Sequence, residues 1–269
     1  MIKVNYHTHT SRCGHAIGRD EDYVRNAVQA GIQVLGFSDH AAYHLNRHTE
    51  RMTLSRVPEY LDSLRALKEK YRDTIDILIG MEVEYYPDQW DTLQYYREEM
   101  DYLILGQHSL GITHASSYNC KTPEHLNAYA DSLEEACARG LCEYIAHPDV
   151  ILFRYPRIDE HVYRTAEKIA DISLKYDIPL EINCGSGVHR PMMTYEDGVC
   201  YPYPSRAFLE VFAERGCKMI IGLDAHDPRD FLTDIYLQKA LSIGEGLSLN
   251  IIEDFDIREA ADRHKKSFY

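Results

Sequence analysis

The sequence has few basic residues and no long apolar run, and each shortage excludes a class of protein. Of its 269 residues, 29 are Lys or Arg and 43 are Asp or Glu, which gives a formal net charge of −14. Nucleic-acid binding depends on basic patches that neutralise phosphates, so this balance argues against a nucleic-acid partner. No apolar run approaches the roughly 20 residues of a membrane-spanning helix. The opening MIKVNYH lacks the basic and apolar segments of a signal peptide, so we expect a cytoplasmic protein without membrane association.

The chain also lacks paired cysteine motifs and linker-like segments. Its seven cysteines are odd in number and include no C-x-x-C spacing, so neither a disulfide framework nor a zinc ribbon is predicted. Free thiols in a reducing cytosol are expected instead. Because no repeat, low-complexity tract or Pro/Ser-rich linker divides the sequence, we predict one domain over residues 1–269.

Short apolar segments alternate with helical patterns along the whole chain. The predicted strands cover residues 2–6, 34–38, 75–83, 102–106, 143–146, 179–183 and 219–223. The predicted helices cover residues 19–30, 58–72, 123–139, 159–176, 205–215, 228–243 and most of 251–264. This alternation predicts an α/β fold with a parallel sheet. Seven strands that are apolar on both faces suit a closed or nearly closed barrel, although an open doubly wound sheet also fits the pattern.

Histidines and carboxylates fall at, or just past, the C-terminal ends of the predicted strands. The set comprises His7, His9, His15, His40, Glu82, His108, His147, Asp224 and His226. Seven of the fourteen histidines lie outside this set. For any single member of the set, the alternative interpretation is an ordinary loop residue that binds no metal. The ends of parallel strands meet at one mouth of a barrel, and imidazole and carboxylate groups bind first-row transition metals. The set as a whole therefore predicts a metal site at that mouth. The long connections 41–57, 109–121 and 185–204 all leave the same strand ends and are expected to build or cover the site.

The motifs H-x-H-x5-H, S-D-H, H-P-D and D-x-H occur in order between His7 and His226, with a glutamate in the third strand. This series resembles the polymerase and histidinol phosphatase (PHP) superfamily. The resemblance implies a distorted, TIM-like (β/α)7 barrel with its active site at the C-terminal strand ends, and usually three divalent transition metals such as Zn, Mn or Fe. It implies three ligand groups: His7, His9, Glu82 and Asp224; Glu82, His108 and His147; and His15, His40 and His226.

Within the superfamily, the segments around His7 and His40 resemble histidinol-phosphate phosphatases. That resemblance implies hydrolysis of L-histidinol phosphate, a small phosphorylated substrate of histidine biosynthesis, by attack of a metal-activated hydroxide on phosphorus. Asp39 is predicted to orient a metal-bound histidine rather than to transfer a proton. Arg154 and Arg190 are predicted to bind the phosphate, with Arg157 as the substitute for Arg154. Candidates for contacts with the substrate amine and imidazole are Glu84, Tyr85, Tyr86 and Tyr118.

Other functions share these metal motifs. A PHP phosphoesterase could act on a nucleotide or a phosphotyrosine protein, and the three long loops favour a closed pocket for a small molecule over a protein substrate. An exonuclease is disfavoured by the acidic balance. A non-catalytic metal-binding protein would need neither the full ligand set nor the arginines. The sequence leaves the metal identity, the oligomeric state and the general acid open.

Overall fold

The computed structural model describes residues 2–44, 50–111 and 116–266, and parts of two predicted long loops, 45–49 and 112–115, lie outside these ranges. Among the described residues, eight parallel strands form one sheet in the order β1-β2-β3-β4-β5-β6-β9-β10. They are β1 (Val4–Asn5), β2 (Val34–Phe37), β3 (Asp76–Val83), β4 (Tyr102–Leu105), β5 (Tyr144–Ile145), β6 (Leu180–Asn183), β9 (Lys218–Gly222) and β10 (Asn250–Ile251). A separate antiparallel hairpin joins β7 (Met193–Tyr195) to β8 (Gly198–Cys200).

Helices connect the strands and cover the outside of the sheet. They are α1 (Asp20–Gln29), α2 (Val57–Tyr71), α3 (Trp90–Glu99), α4 (Pro123–Ala138), α5 (Glu160–Tyr176), α6 (Ser186–His189), α7 (Arg206–Glu214), α8 (Ile235–Ile243) and α9 (Ile257–Lys265). Helix α5 shows the common design, because it buries Val162, Ala166 and Ile169 at helical spacing and is capped by Asp159, whose side chain accepts from two backbone N–H groups. Over the described ranges, no helix combines the length and the apolar character that a membrane span requires.

The sheet closes into a ring at one end only. Beyond β1 and β9, the N–H of His9 donates to the carbonyl of Ala225 at 2.9 Å, and the N–H of Ala225 donates to the carbonyl of His7 at 3.2 Å. At the other end β10 pairs with β9, and α9 covers the opening with Ile257 packed inside the barrel. The ring of seven strands at the mouth confirms the predicted distorted, TIM-like (β/α)7 barrel. All seven predicted strands are present.

Several elements differ from the sequence-based prediction, among them the predicted helix 228–243, which the structure divides into the 3-10 turn Pro228–Leu232 and α8. Helix α3 was not predicted, because its buried face includes Arg97, whose guanidinium donates to Glu143 at 2.6 Å and so interrupts the apolar pattern. The predicted helix 251–264 starts later, since Ile251 pairs with β9 before α9 begins. The β7–β8 hairpin lies within the predicted loop 185–204.

Candidate metal centre

Glu82 lies at the centre of the barrel mouth. Its Oε1 is 2.8 Å from His147 Nε2 and 3.6 Å from the Nε2 atoms of His7 and His108. Its Oε2 is 2.7 Å from His40 Nδ1 and 3.6 Å from His9 Nε2. A Cβ atom on Gly106 would lie 1.9 Å from Glu82 Oε1, so β4 can pass beside this carboxylate only with glycine there. One carboxylate therefore contacts five imidazoles that come from four different segments of the chain.

Asp224 is the second carboxylate of the cluster. Its Oδ1 is 3.1 Å from His9 Nε2, 3.5 Å from His7 Nε2 and 3.4 Å from His226 Nδ1. The backbone of Asp224 has φ 47° and that of His147 has φ 28°, both in the left-handed region. Residues with side chains rarely adopt this region, and such strain is concentrated at functional sites.

His15 and His108 complete the set at the solvent side. The exposed His15 ring is 5.3 Å from the His40 ring and 4.6 Å from the His226 ring, centroid to centroid. The predicted ligands form four groups of three, and within each group the ligand atoms lie within 4.8 Å of one another. These groups are His7, His9 and Asp224; His7, Glu82 and His147; His9, His40 and Glu82; and His15, His40 and His226. Together with His108, which contacts Glu82, all nine predicted ligands meet at one place.

The donor atoms of this cluster fit divalent transition metals. Within the described ranges, His7 Nε2, both ring nitrogens of His9 and His226 Nε2 are buried without a hydrogen-bond partner. A buried polar atom left unpaired costs about 1–3 kcal/mol, whereas a metal ligand needs such a free lone pair. Imidazole nitrogen and carboxylate oxygen are also the donors that zinc, iron and manganese accept.

The electrostatics divide the cluster into charged and neutral groups. Burial opposes the ionisation of Glu82, but the surrounding imidazoles, His108 foremost, hold its pKa well below the ordinary value. Burial also opposes a charge on His9, yet the nearby carboxylates of Asp224 and Asp39 raise its pKa to about 9. Burial lowers the pKa of His108 to about 4 and that of His226 to about 3. The last two imidazoles are therefore neutral at physiological pH, which is the form that binds metals.

Two supporting residues on β6 were missed by the sequence-based prediction. Glu181 accepts from His7 Nδ1 at 2.7 Å and from the His147 backbone N–H at 2.9 Å. The Asn183 side chain donates to Glu181 at 2.8 Å and to Asp224 at 3.3 Å. Their spacing was the available signal, since two polar residues at i and i+2 in an apolar strand share one face.

Asp39 lies behind the cluster and is wholly buried. Its Oδ2 accepts from the hydroxyl of Thr10 and from the Thr10 N–H at 3.3 Å. Its Oδ1 accepts from the His40 N–H at 2.9 Å and is 3.6 Å from His9 Nδ1. This position suits a residue that orients His9 rather than one that meets a substrate.

A cleft of about 420 Å³ opens above the cluster. It is lined by His15, His40, Glu50, Arg51, His108, Ser109, Ser116, Tyr118, Asn119, Phe153, Arg154, Ser186 and Arg190. Both predicted phosphate-binding arginines, Arg154 and Arg190, are exposed side chains of its wall, and the Arg190 guanidinium lies 5.3 Å from the Phe153 ring. Arg157 lies outside the lining and pairs with Asp159 at 3.4 Å and Glu196 at 3.6 Å.

The structure reduces the number of residues that are candidates for contacts with the substrate amine and imidazole. Tyr118 lines the cleft and stacks on His108 with 6.1 Å between ring centroids. Tyr85 and Tyr86 are buried and do not belong to the lining. Glu84 is also outside it, because its Oε2 binds the Arg51 guanidinium and its Oε1 accepts from the His108 N–H at 3.1 Å. The predicted contact of Glu84 with a substrate amine is therefore wrong in this structure, because Arg51 already neutralises that carboxylate.

A barrel with clustered imidazoles and carboxylates at its C-terminal mouth is the arrangement of a metal-dependent enzyme. The PHP domain family model matches residues 5–185, more than half of the chain. The chain belongs to the PHP family.

Three relatives illustrate the similarity. A protein named probable histidinol-phosphatase from Deinococcus radiodurans is 28% identical over 240 residues, covering 82% of this chain and 85% of its own. A protein of the same name from Schizosaccharomyces pombe is 24% identical over 262 residues, covering 89% of this chain and 85% of its own. The crystal structure of histidinol phosphate phosphatase from Lactococcus lactis, complexed with zinc, L-histidinol and phosphate, is 18% identical with a TM-score of 0.69, covering 93% of this chain and 95% of that one. These likenesses support the barrel fold and a phosphatase of the PHP family.

Proposed function

We propose that this protein is a metal-dependent phosphomonoesterase that hydrolyses L-histidinol phosphate to L-histidinol and phosphate. The observation that carries the proposal is the cleft itself, in which Arg154 and Arg190 share one lining with His15, His40 and His108. Its volume of about 420 Å³ suits a small molecule. The names of the two curated relatives and the ligands of the Lactococcus lactis structure support this substrate. A role in histidine biosynthesis and a cytoplasmic location accompany the substrate and stay predictions.

We infer that the cluster holds three divalent ions of zinc, manganese or iron. The proposed ligands are His7, His9, Glu82 and Asp224 for one ion, Glu82, His108 and His147 for the second, and His15, His40 and His226 for the third. Bound divalent ions supply an activated water nucleophile to phosphate-ester hydrolysis and neutralise charge on the phosphoryl oxygens. Support comes from the unpaired nitrogens of His7, His9 and His226 and from the short spacings among these groups.

The remaining residues bind and orient. Arg154 and Arg190 donate to phosphate oxygens, because a guanidinium matches the geometry of an oxyanion and stays charged. Asp39 and Glu181 hold the rings of His9 and His7, since a carboxylate behind a ligating imidazole fixes its orientation. Tyr118 provides an aromatic wall on which an imidazole ring can stack.

The test is phosphate release by metal-quantified protein from L-histidinol phosphate, a nucleoside monophosphate and a phosphotyrosine peptide at equal concentrations. We expect a kcat/KM for L-histidinol phosphate well above the other two. A preference for the nucleotide or the peptide would show that L-histidinol phosphate is not the substrate and would favour another PHP phosphoesterase activity. No turnover of any ester by metal-loaded protein would reject the phosphatase function as a whole.

A further inference from the structure

Cys13 lies against the metal-ligand cluster, and none of the roles above uses it. It ends the 3-10 turn Ser11–Cys13, which follows His9 closely along the chain. Gly14 comes next with φ 85° and reverses the backbone toward His15. The Cys13 side chain is wholly buried, and its Sγ accepts from the Ala16 N–H at 3.2 Å. The local backbone therefore holds the sulfur in a defined position.

The sulfur lies close to two histidines of the proposed metal centre. Cys13 Sγ, one ring nitrogen of His9 and one of His226 all lie within 4.8 Å of one another. The rings of His9 and His226 stack, with 4.1 Å between centroids. Both ring nitrogens of His9 and Nε2 of His226 are buried without hydrogen-bond partners in the part of the chain that the structure describes. One sulfur donor and two nitrogen donors thus surround one small volume.

The spacing agrees with a single coordinated ion. Zinc binds sulfur at about 2.3 Å and imidazole nitrogen at about 2.0–2.1 Å in tetrahedral geometry, so a sulfur and a nitrogen on one ion are separated by about 3.6 Å. The three donor atoms are no more than 4.8 Å apart, so movements of up to about 1 Å bring each pair to the separation that one ion requires. Cys184 provides the contrast: it is buried near the same mouth, but among the described residues it belongs to no group of three possible ligands.

We propose that Cys13 is a sulfur ligand of the metal centre, bound to the ion that His15, His40 and His226 hold and on the side of that ion that faces His9. Coordination forms one metal–sulfur bond and releases the thiol proton to solvent, with no change of oxidation state. A thiolate favours zinc and other soft ions over manganese and magnesium, so this ligand selects among the metals that the histidines and carboxylates accept. The inference rests on the metal centre proposed above and does not depend on the substrate.

The experiment measures sulfur at the metal directly, in buffer free of added thiols. Full-length protein is loaded with cobalt(II), the metal-to-protein ratio is determined, and the sulfur-to-cobalt charge-transfer absorption is recorded in the near ultraviolet. We expect this absorption in the wild type and in the matched control Cys184→Ser, and its loss in Cys13→Ser. Zinc X-ray absorption of the wild type should show a sulfur neighbour at about 2.3 Å.

The outcomes separate this ligand from the rest of the site. Bound metal with only nitrogen and oxygen neighbours would overturn the role of Cys13 and leave the histidine and carboxylate centre intact. Loss of the absorption in Cys184→Ser but not in Cys13→Ser would also overturn it. A protein that binds no divalent metal would overturn both the ligand and the centre. If Cys13→Ser fails to fold, the wild-type X-ray absorption decides alone.

Discussion

The floor and the wall of the cleft are built in different ways. The floor, represented by Glu82 and Asp224, is buried at the ends of barrel strands, and each carboxylate contacts several imidazoles. The wall, represented by Glu50, Arg154 and Arg190, is exposed and comes from the connecting loops. Strand ends fix the floor within a rigid ring, whereas loops can vary without disturbing that ring. In the proposed function, the floor supplies the chemistry common to phosphate esters and the wall determines which ester is bound.

The strongest test of the floor is Glu82→Gln. The amide keeps the shape but removes the charge that five imidazoles approach within 3.6 Å. We expect a loss of several kcal/mol of transition-state stabilisation, which is at least about a thousandfold in kcat/KM. The measurement is hydrolysis of L-histidinol phosphate and of 4-nitrophenyl phosphate, with the metal content determined by mass spectrometry. Full activity at unchanged metal content would contradict a central role for Glu82.

The floor should also bind metal in a pH-dependent way. In the metal-free protein the pKa of His9 is raised to about 9, so its charged pairing with carboxylates stabilises the fold below the ordinary pKa of about 6.5 and is lost as the pH rises through 9. A metal ion needs the neutral imidazole and must displace that proton. We therefore expect the apparent metal affinity to rise at least about tenfold per pH unit between about 7 and 9, the slope that the proton of His9 alone produces. Competition with a chelator of known proton affinity measures it, and a flat profile would show that no ligand gives up a proton in this range.

Behind the floor, Glu181→Gln should weaken the centre without removing a ligand. Glu181 accepts from the His7 ring at 2.7 Å, so the amide loses the charge that orients this imidazole. Replacing such an outer partner typically costs about 10- to 100-fold in metal affinity or activity. Titration of apoprotein with zinc measures the affinity, and circular dichroism serves as the control for folding. An unchanged affinity would limit Glu181 to a structural role.

The floor could be predicted from the sequence and most of its supports could not. The ligands end successive strands, and parallel strand ends meet wherever the strands themselves are recognised. Glu181 supports His7 across 174 positions, a contact that depends on how β1 and β6 face each other inside the ring. The sequence made Glu84 a candidate for contact with the substrate amine, but Arg51 from a long loop binds its carboxylate. Such a contact cannot be predicted, because a periodic pattern does not encode loop conformation.

In the wall, Arg154→Ala and Arg190→Ala should each raise KM for phosphate esters. A hydrogen bond to a charged group contributes about 1.5–3 kcal/mol, and the exposure of both side chains favours the lower value, which corresponds to about tenfold. Arg157→Ala is the matched control, because this arginine is also exposed but pairs with Asp159 and Glu196 outside the cleft. Steady-state kinetics with measured metal content give the comparison. Equal effects of all three substitutions would show that Arg154 and Arg190 do not bind the phosphate.

The mildest change, Glu50→Gln, should separate substrates rather than weaken all of them. Glu50 is an exposed carboxylate in the lining, opposite in sign to the arginines, and the ammonium group of L-histidinol phosphate is a suitable partner. Exposed ion pairs contribute about 0.2–1 kcal/mol, so we expect KM for L-histidinol phosphate to rise by no more than about fivefold. Hydrolysis of 4-nitrophenyl phosphate, which has no amine, should not change, and neither substrate should respond to Glu196→Gln on the exposed hairpin. If Glu50→Gln changes both esters equally, the carboxylate acts on the phosphate end or on the loop, and the wall's choice of substrate lies elsewhere.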